Sequence, residues 1–114
     1  MKQKGLLSSL REKKRYLVFE IKTDNNFSFS DVSKAILKSF KELFGEIGLS
    51  KAGLNFVEYK NNKGIVKVNN KYVKNLQASM CFLRKINKQD LIVRSLGVSG
   101  ILKRARIKFL GGAL

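Results

Sequence analysis

The chain has 114 residues, 44% of them apolar, and its 24 lysines and arginines against eight acidic residues give a formal charge of +16. That size and apolar content fit one folded domain and argue against disorder. One cysteine excludes an internal disulfide, and the lack of histidine removes the commonest general base and metal ligand. No apolar run approaches the ~18 residues that cross a bilayer. A positive surplus of this size opposes compaction and calls for a polyanionic partner, with nucleic acid ahead of an anionic membrane surface.

Residues 1–14 form a basic arm whose only greasy patch is Gly5-Leu6-Leu7, too little for a signal peptide. The protein is therefore expected inside the cell. From Arg15 to Thr23 the pattern alternates, with Leu17, Phe19 and Ile21 on one side and Tyr16, Val18, Glu20 and Lys22 on the other. That is the signature of a strand, and apolar residues on its second side suit a central position. After the Asp24-Asn25-Asn26 turn, Ser28 to Asp31 reads as a capping box with Phe27 and Val32 as a hydrophobic staple. Val32, Ile36, Phe40, Leu43, Phe44 and Ile47 then recur at helical spacing, and Gly45 and Gly48 are expected to end the helix, with Gly48 as its C′ residue. Gly53 to Tyr59 and Ile65 to Val68 read as a hairpin around Asn61 to Gly64. A second helix, capped at Asn69 or Asn70, is expected to carry Tyr72, Val73, Leu76, Met80, Leu83 and Ile86 inward and Phe82 on its flank. Asn87 to Asp90 turns the chain into a fourth strand, Leu91 to Leu96. Gly97 to Gly100 is expected to break that strand, and Ile101 to Phe109 reads as a short basic helix.

The resulting order, β-α-β-β-α-β, predicts an α+β, ferredoxin-like or RRM-like sandwich: a four-stranded antiparallel sheet with both helices on one face. It occupies residues 15–98, between the arm and a basic segment and tail over 99–114. Catalytic chemistry is hard to assemble from this order. The carboxylates are scattered, Glu42 and Glu46 read as a solvated helix face beside Lys38 and Lys41, Cys81 reads as a small core residue, and no glycine-rich phosphate loop is present. Neither a catalytic residue nor a metal ligand is assigned.

The nucleic-acid signals are stronger. Arg11, Lys13, Lys14 and Arg15 cluster at one end of the chain, and Lys103, Arg104, Arg106 and Lys108 at the other. If the first and fourth strands are neighbours, the two clusters meet at one edge of the sheet and supply several phosphate contacts. Lys63 to Val68 resembles the start of an RNP1 motif and Tyr16 sits where RNP2 places an aromatic, but the third strand lacks the stacking aromatics. Backbone-directed binding is thus expected rather than base stacking on the sheet. Tyr16, Val18, Ile65 and Ile92, with Phe82, leave apolar surface that either the terminal helices or a protein partner must cover.

Leu10 to Ile21 resembles the opening of the ribonuclease P protein component 2 family, as do Leu43 to Gly48, Gly64 to Val68 and Leu96 to Lys103, in the same order along nearly the whole chain. There are two departures: the chain has no proline before its basic block, and Ile101 stands where the family's Ser-Gly-Thr-Leu-Lys has threonine. The resemblance implies a non-catalytic, RNA-binding subunit of the ribonucleoprotein that removes 5′ leaders from precursor tRNA. The chemistry is then expected in the RNA with Mg²⁺, and no cofactor is expected on the protein. Ser99 and Gly100 join the RNA-binding residues on the same ground. Expected partners are the ribonuclease P RNA, protein component 3, the other protein subunits, precursor tRNA and, through the complex with component 3, a second copy of the chain. The site would be cytoplasmic in an archaeon and nucleolar in a eukaryote. The alternative is a generic ferredoxin-like module associated with RNA or the ribosome. A stand-alone nuclease is disfavoured by the missing histidine.

Overall fold

The computed structural model describes residues 13–109. The elements are β1 (Lys14–Lys22), α1 (Phe29–Ala52), β2 (Asn55–Lys60), β3 (Lys63–Asn69), a 3₁₀ turn (Asn70–Tyr72), α2 (Val73–Phe82), the short strands β4 (Lys85–Ile86) and β5 (Gln89–Asp90), β6 (Ile92–Ser99) and α3 (Leu102–Phe109). The main sheet runs β2-β3-β1-β6 and is antiparallel at every pairing. The expected order stands, with β1 inside the sheet and a small β4–β5 hairpin added.

Alternation along β1 decides the layering. Leu17, Phe19 and Ile21 join one core with Val32, Ile36 and Phe40 of α1, Val66 and Val68 of β3, and Leu76 and Met80 of α2. Val18, on the opposite side, packs with Ile65 and with Ala105 of α3, and Tyr16, Val57, Leu96 and Leu102 border them. The sheet therefore has helices on both faces: α1 and α2 on one, α3 on the other. Val18 and Ile65, expected to be covered either by a terminal helix or by a protein partner, are fully buried with Ala105 of the chain's own C-terminal helix packed on them. Ala105 is itself fully buried, and its single methyl lets α3 lie close to the strands.

The start of α1 follows its sequence signature. The Ser28 hydroxyl accepts from the Asp31 N–H at 3.1 Å, and Phe27 and Val32 are both buried. Its end differs from expectation. Gly45 takes φ +77 and kinks the helix, a second segment continues to Ala52, and Gly53 rather than Gly48 is the left-handed cap, donating to the Leu49 carbonyl. Leu43, ahead of the kink, is exposed, and beyond the kink Ile47 is exposed by 73% while Leu49 and Ala52 pack on the core.

The β2–β3 turn is Asn61-Asn62 with φ values of 53° and 62°, the type I′ geometry that asparagine tolerates. A bulge at Val57 shifts the β2 register between Phe56 and Glu58. Phe56 and Tyr59 consequently share the α1 face, and Val57 packs on the α3 side. Asn69 caps the 3₁₀ turn by accepting from Lys71 N–H, and its amide donates to the Lys51 carbonyl at the end of α1. Helix α2 stops at Phe82, earlier than its apolar stripe suggests. Asn87 and Lys88, both at positive φ, then turn a hairpin that brings Ile86 into the core as a strand residue. Cys81, expected in the core, is exposed. Gly97 to Ser99 belong to β6 instead of ending it, and the strand bulges at Leu96, where the pairing of Val18 and Phe19 skips a residue.

Gly64 is fixed by sterics. It pairs with Phe19, and a Cβ added there would stand 2.5 Å from the ring and 3.0 Å from the Glu58 carbonyl. Gly64→Ala is expected to cost about 1–3 kcal/mol, because a close-packed interior takes an added methyl only through strain. In a thermal melt this lowers Tm by about 4 °C or more. An unchanged Tm would show that the Phe19 ring yields freely.

Candidate nucleic-acid interface

Antiparallel pairing of β1 with β6 sets Tyr16 opposite Ser99 and so brings the start of β1 and the end of β6, where α3 begins, to one corner of the sheet. The Arg15 guanidinium lies against Gly100: a Cβ there would sit 3.5 Å from Nη1. The same nitrogen donates to the Lys14 carbonyl at 3.1 Å, which holds the side chain along the strand. The Ser99 hydroxyl accepts from the Ile101 N–H and donates to the Ile101 carbonyl, both at 3.1 Å. That carbonyl also accepts from Ala105 N–H in the first turn of α3. Ser99 thus fixes the turn that starts the helix. Lys103 and Arg104 are exposed while Leu102 and Ala105 face the sheet.

The expected cations divide in their roles. Lys13, Arg15, Lys103 and Arg104 belong to this corner, with Lys13 also tied down by its carbonyl, which accepts from Asn70 N–H at 2.7 Å. Lys14 reaches the other way: its Nζ would be 3.2 Å from a Cβ on Gly53, at the C-terminal end of α1, where the helix dipole favours a cation. Arg106 turns onto the sheet, and its Nε donates to Glu58 Oε1 on β2 at 2.9 Å. Glu58 Oε2 is buried with no partner among the described residues. Arg106 is therefore engaged in fastening α3 across the sheet. Lys108 lies in α3, and Arg11 lies outside the described residues.

Other cations on the α3 side escaped the sequence reading, because they are spread over strands and gather only in the sheet register. One row crosses all four strands as Asn55, Lys67, Tyr16 and Ser99. Farther along, Lys60, Lys63, Glu20 and Arg94 form another row, and Glu20 lies 3.7 Å from Arg94 and 3.8 Å from Lys22. One carboxylate shared by two cations leaves that row positive. The two rows flank α3, so the basic surface extends beyond the corner. Tyr16 is the one aromatic in these rows, and Val18 and Ile65 between them are roofed by α3, so this face offers no stacking platform for bases. Of the other apolar surface residues, Phe82 is 69% exposed at the end of α2 and Ile92, opposite Lys22, is exposed on β6.

Residues 15–110 match the model of the Rpp14/Pop5 family. The chain belongs to that family. Among its relatives, ribonuclease P protein component 2 of Methanosarcina mazei is 40% identical over 107 residues, covering 94% of this chain and 92% of the relative. The protein of the same name from Pyrococcus abyssi is 38% identical over 112 residues, covering 96% and 95%. In fold the family member is similar to a chain in the cryo-EM structure of yeast ribonuclease MRP. That match has a TM-score of 0.66 over 89% of this chain and 88% of the other, at 12% sequence identity. Among the described residues, no three His, Cys, Asp or Glu side chains gather as a metal site, and no helix is long and apolar enough to cross a membrane.

If Arg106 holds α3 through Glu58, Arg106→Ala leaves a part-buried carboxylate unpaired and is expected to cost about 1–3 kcal/mol in urea unfolding. Adding Glu58→Gln should restore part of that loss, a coupling of at least about 0.5 kcal/mol in the double-mutant cycle. Strict additivity of the two changes would contradict the pairing.

Proposed function

We propose that this chain is an RNA-binding protein subunit of ribonuclease P, supporting the catalytic RNA as it removes 5′ leaders from precursor tRNA. The observation that carries the reading is the near full-length match to chains named ribonuclease P protein component 2. The basic corner gives it a physical basis. Phosphates of an RNA backbone meet Lys13, Arg15, Lys103 and Arg104 on rigid elements, and binding releases the counterions that a +16 chain and a polyanion otherwise hold. The corner supplies fixed positive charge and hydrogen-bond donors, which suits positioning an RNA rather than cleaving one. The protein is non-catalytic in this reading. Mg²⁺ and the bond-breaking chemistry belong with the RNA in the same reading. Protein component 3 and the other subunits are the proposed protein partners, and the exposed Leu43, Ile47 and Phe82 of the helical side are available to them.

The test is RNA affinity as a function of salt. Replacing Arg15, Lys103 and Arg104 together with Ala is expected to reduce the log–log slope by about 2–3, at roughly 0.7–0.9 for each lost phosphate contact. The same variant should lower precursor-tRNA cleavage by holoenzyme reconstituted with limiting subunit. An unchanged slope would remove the corner from the RNA interface. Cleavage that is the same with and without this subunit would remove the functional reading itself.

A further inference from the structure

The end of the sheet away from the α3 corner carries a ladder of aromatic rings that leads out of the core. Phe19 of β1 is fully buried, and Tyr59 of β2 stacks on it with centroids 6.4 Å apart and planes 26° apart. Phe29, the first residue of α1, stacks in turn on Tyr59 at 6.2 Å and 13°. Phe56 meets both Phe19 and Phe29 edge-on, at 87° and 72°, and holds the ladder from the side. Phe29 ends the series at the surface, 43% exposed. The helix start does not call for an aromatic there, since Ser28 provides the cap and Phe27 and Val32 the buried apolar pair.

Beside this ring lies an open depression of about 600 Å³ lined by Asn26, Phe27, Phe29, Tyr59, Lys60 and the Asn61-Asn62 turn. Its lining carries one lysine and no carboxylate. Asn61 and Asn62 are set by the left-handed backbone of the hairpin, and Asn62 Oδ1 accepts from the Tyr59 hydroxyl at 3.1 Å. Burial pushes the Tyr59 phenol above its ordinary value of 10.0, so the hydroxyl keeps its proton as the donor. Asn26 and Asn61 are exposed, and their side-chain amides can both donate and accept. Lys60 also belongs to the basic row with Lys63 and Arg94, so the depression continues the positive surface of the α3 side.

We propose that this depression receives one unpaired base of an RNA strand, stacked on Phe29 and hydrogen-bonded by the asparagine amides, with Lys60 at its phosphate. The inference rests on the RNA-binding reading above and adds a base-contacting site at the opposite end of the sheet from the backbone-binding corner. A nucleobase fits better than an apolar peptide side chain. It extends a series of near-parallel rings, it can satisfy amide donors and acceptors, and it arrives on a charged backbone that a neighbouring row of cations attracts.

The experiment uses the full chain with a labelled short single-stranded oligoribonucleotide and a blunt RNA duplex, followed by anisotropy over a range of KCl concentrations. Phe29→Leu keeps an apolar side chain against Phe56 and Tyr59 but removes the ring face, and Asn61→Gly keeps the turn but removes the amide. Phe29→Leu is expected to weaken single-strand binding by about fivefold or more, with duplex affinity and both salt slopes unchanged. Asn61→Gly is expected to weaken it in the same direction while retaining the wild-type Tm. Single-strand affinity equal to wild type in both variants would overturn the base site while leaving the RNA-binding corner in place. Absence of binding of either RNA by the unaltered chain would instead defeat the underlying reading, and the base site with it. Loss of capture of a protein subunit by Phe29→Leu at unchanged RNA affinity would also overturn the proposal, by assigning the ring to a protein contact.

Discussion

Strand β1 is buried from both sides: Leu17, Phe19 and Ile21 lie beneath α1 and α2, and Val18 lies beneath Ala105 of α3. Burying a side chain of this size stabilises a fold by about 1.5–3 kcal/mol relative to leaving it in water. A central strand with apolar residues on both faces therefore needs two covers. The first comes from the two long crossovers of the βαββαβ order. The second must come from elsewhere, and the C-terminal helix supplies it. Much else follows from that need. Residue 105 is small enough for close approach, and Arg106 reaches across to Glu58. Ser99 sets the angle at which the chain leaves β6 and enters α3.

The same arrangement organises the charge. Cations at two distant places in the sequence would otherwise sit on independent, solvated segments, where each contributes little beyond net attraction. Antiparallel pairing of Tyr16 with Ser99 and docking of α3 place Arg15, Lys103 and Arg104 on one rigid corner. Fixed cations lose less conformational entropy on meeting a phosphate than flexible ones do. The like charges repel one another, and the fold withstands this because the apolar contacts beneath them are continuous. A polyanion relieves the repulsion, which ties the stability of the corner to its occupancy.

Much of this was legible in the residues. Alternation from Arg15 to Thr23 marks β1 and separates its two faces, and the Ser28 cap with Phe27 and Val32 marks the start of α1. The chain does not announce what breaks those patterns. Gly45 and Gly48 look alike as terminators, and only the backbone shows that Gly45 kinks the helix while Gly53 ends it. Ile86 keeps helical spacing with Leu83 yet reaches the core from a hairpin, because Asn87 and Lys88 both take up positive φ. Arg106 is indistinguishable from Lys103 in a basic run until the Val57 bulge sets Glu58 opposite Ile65 on the α3 side. The row of Lys60, Lys63 and Arg94, and the ladder ending at Phe29, join residues far apart in the chain, and no local pattern carries them.

The most direct test of this account is whether α3 rests on the second face of β1 in solution. Methyl-labelled protein should give nuclear Overhauser contacts from Ala105 to Val18 and Ile65, with slowed amide exchange through the middle of α3. Absence of those contacts, with residues 102–109 exchanging as an unstructured segment, would contradict it. Val18 and Ile65 would then be open surface, and the basic corner would lose its frame.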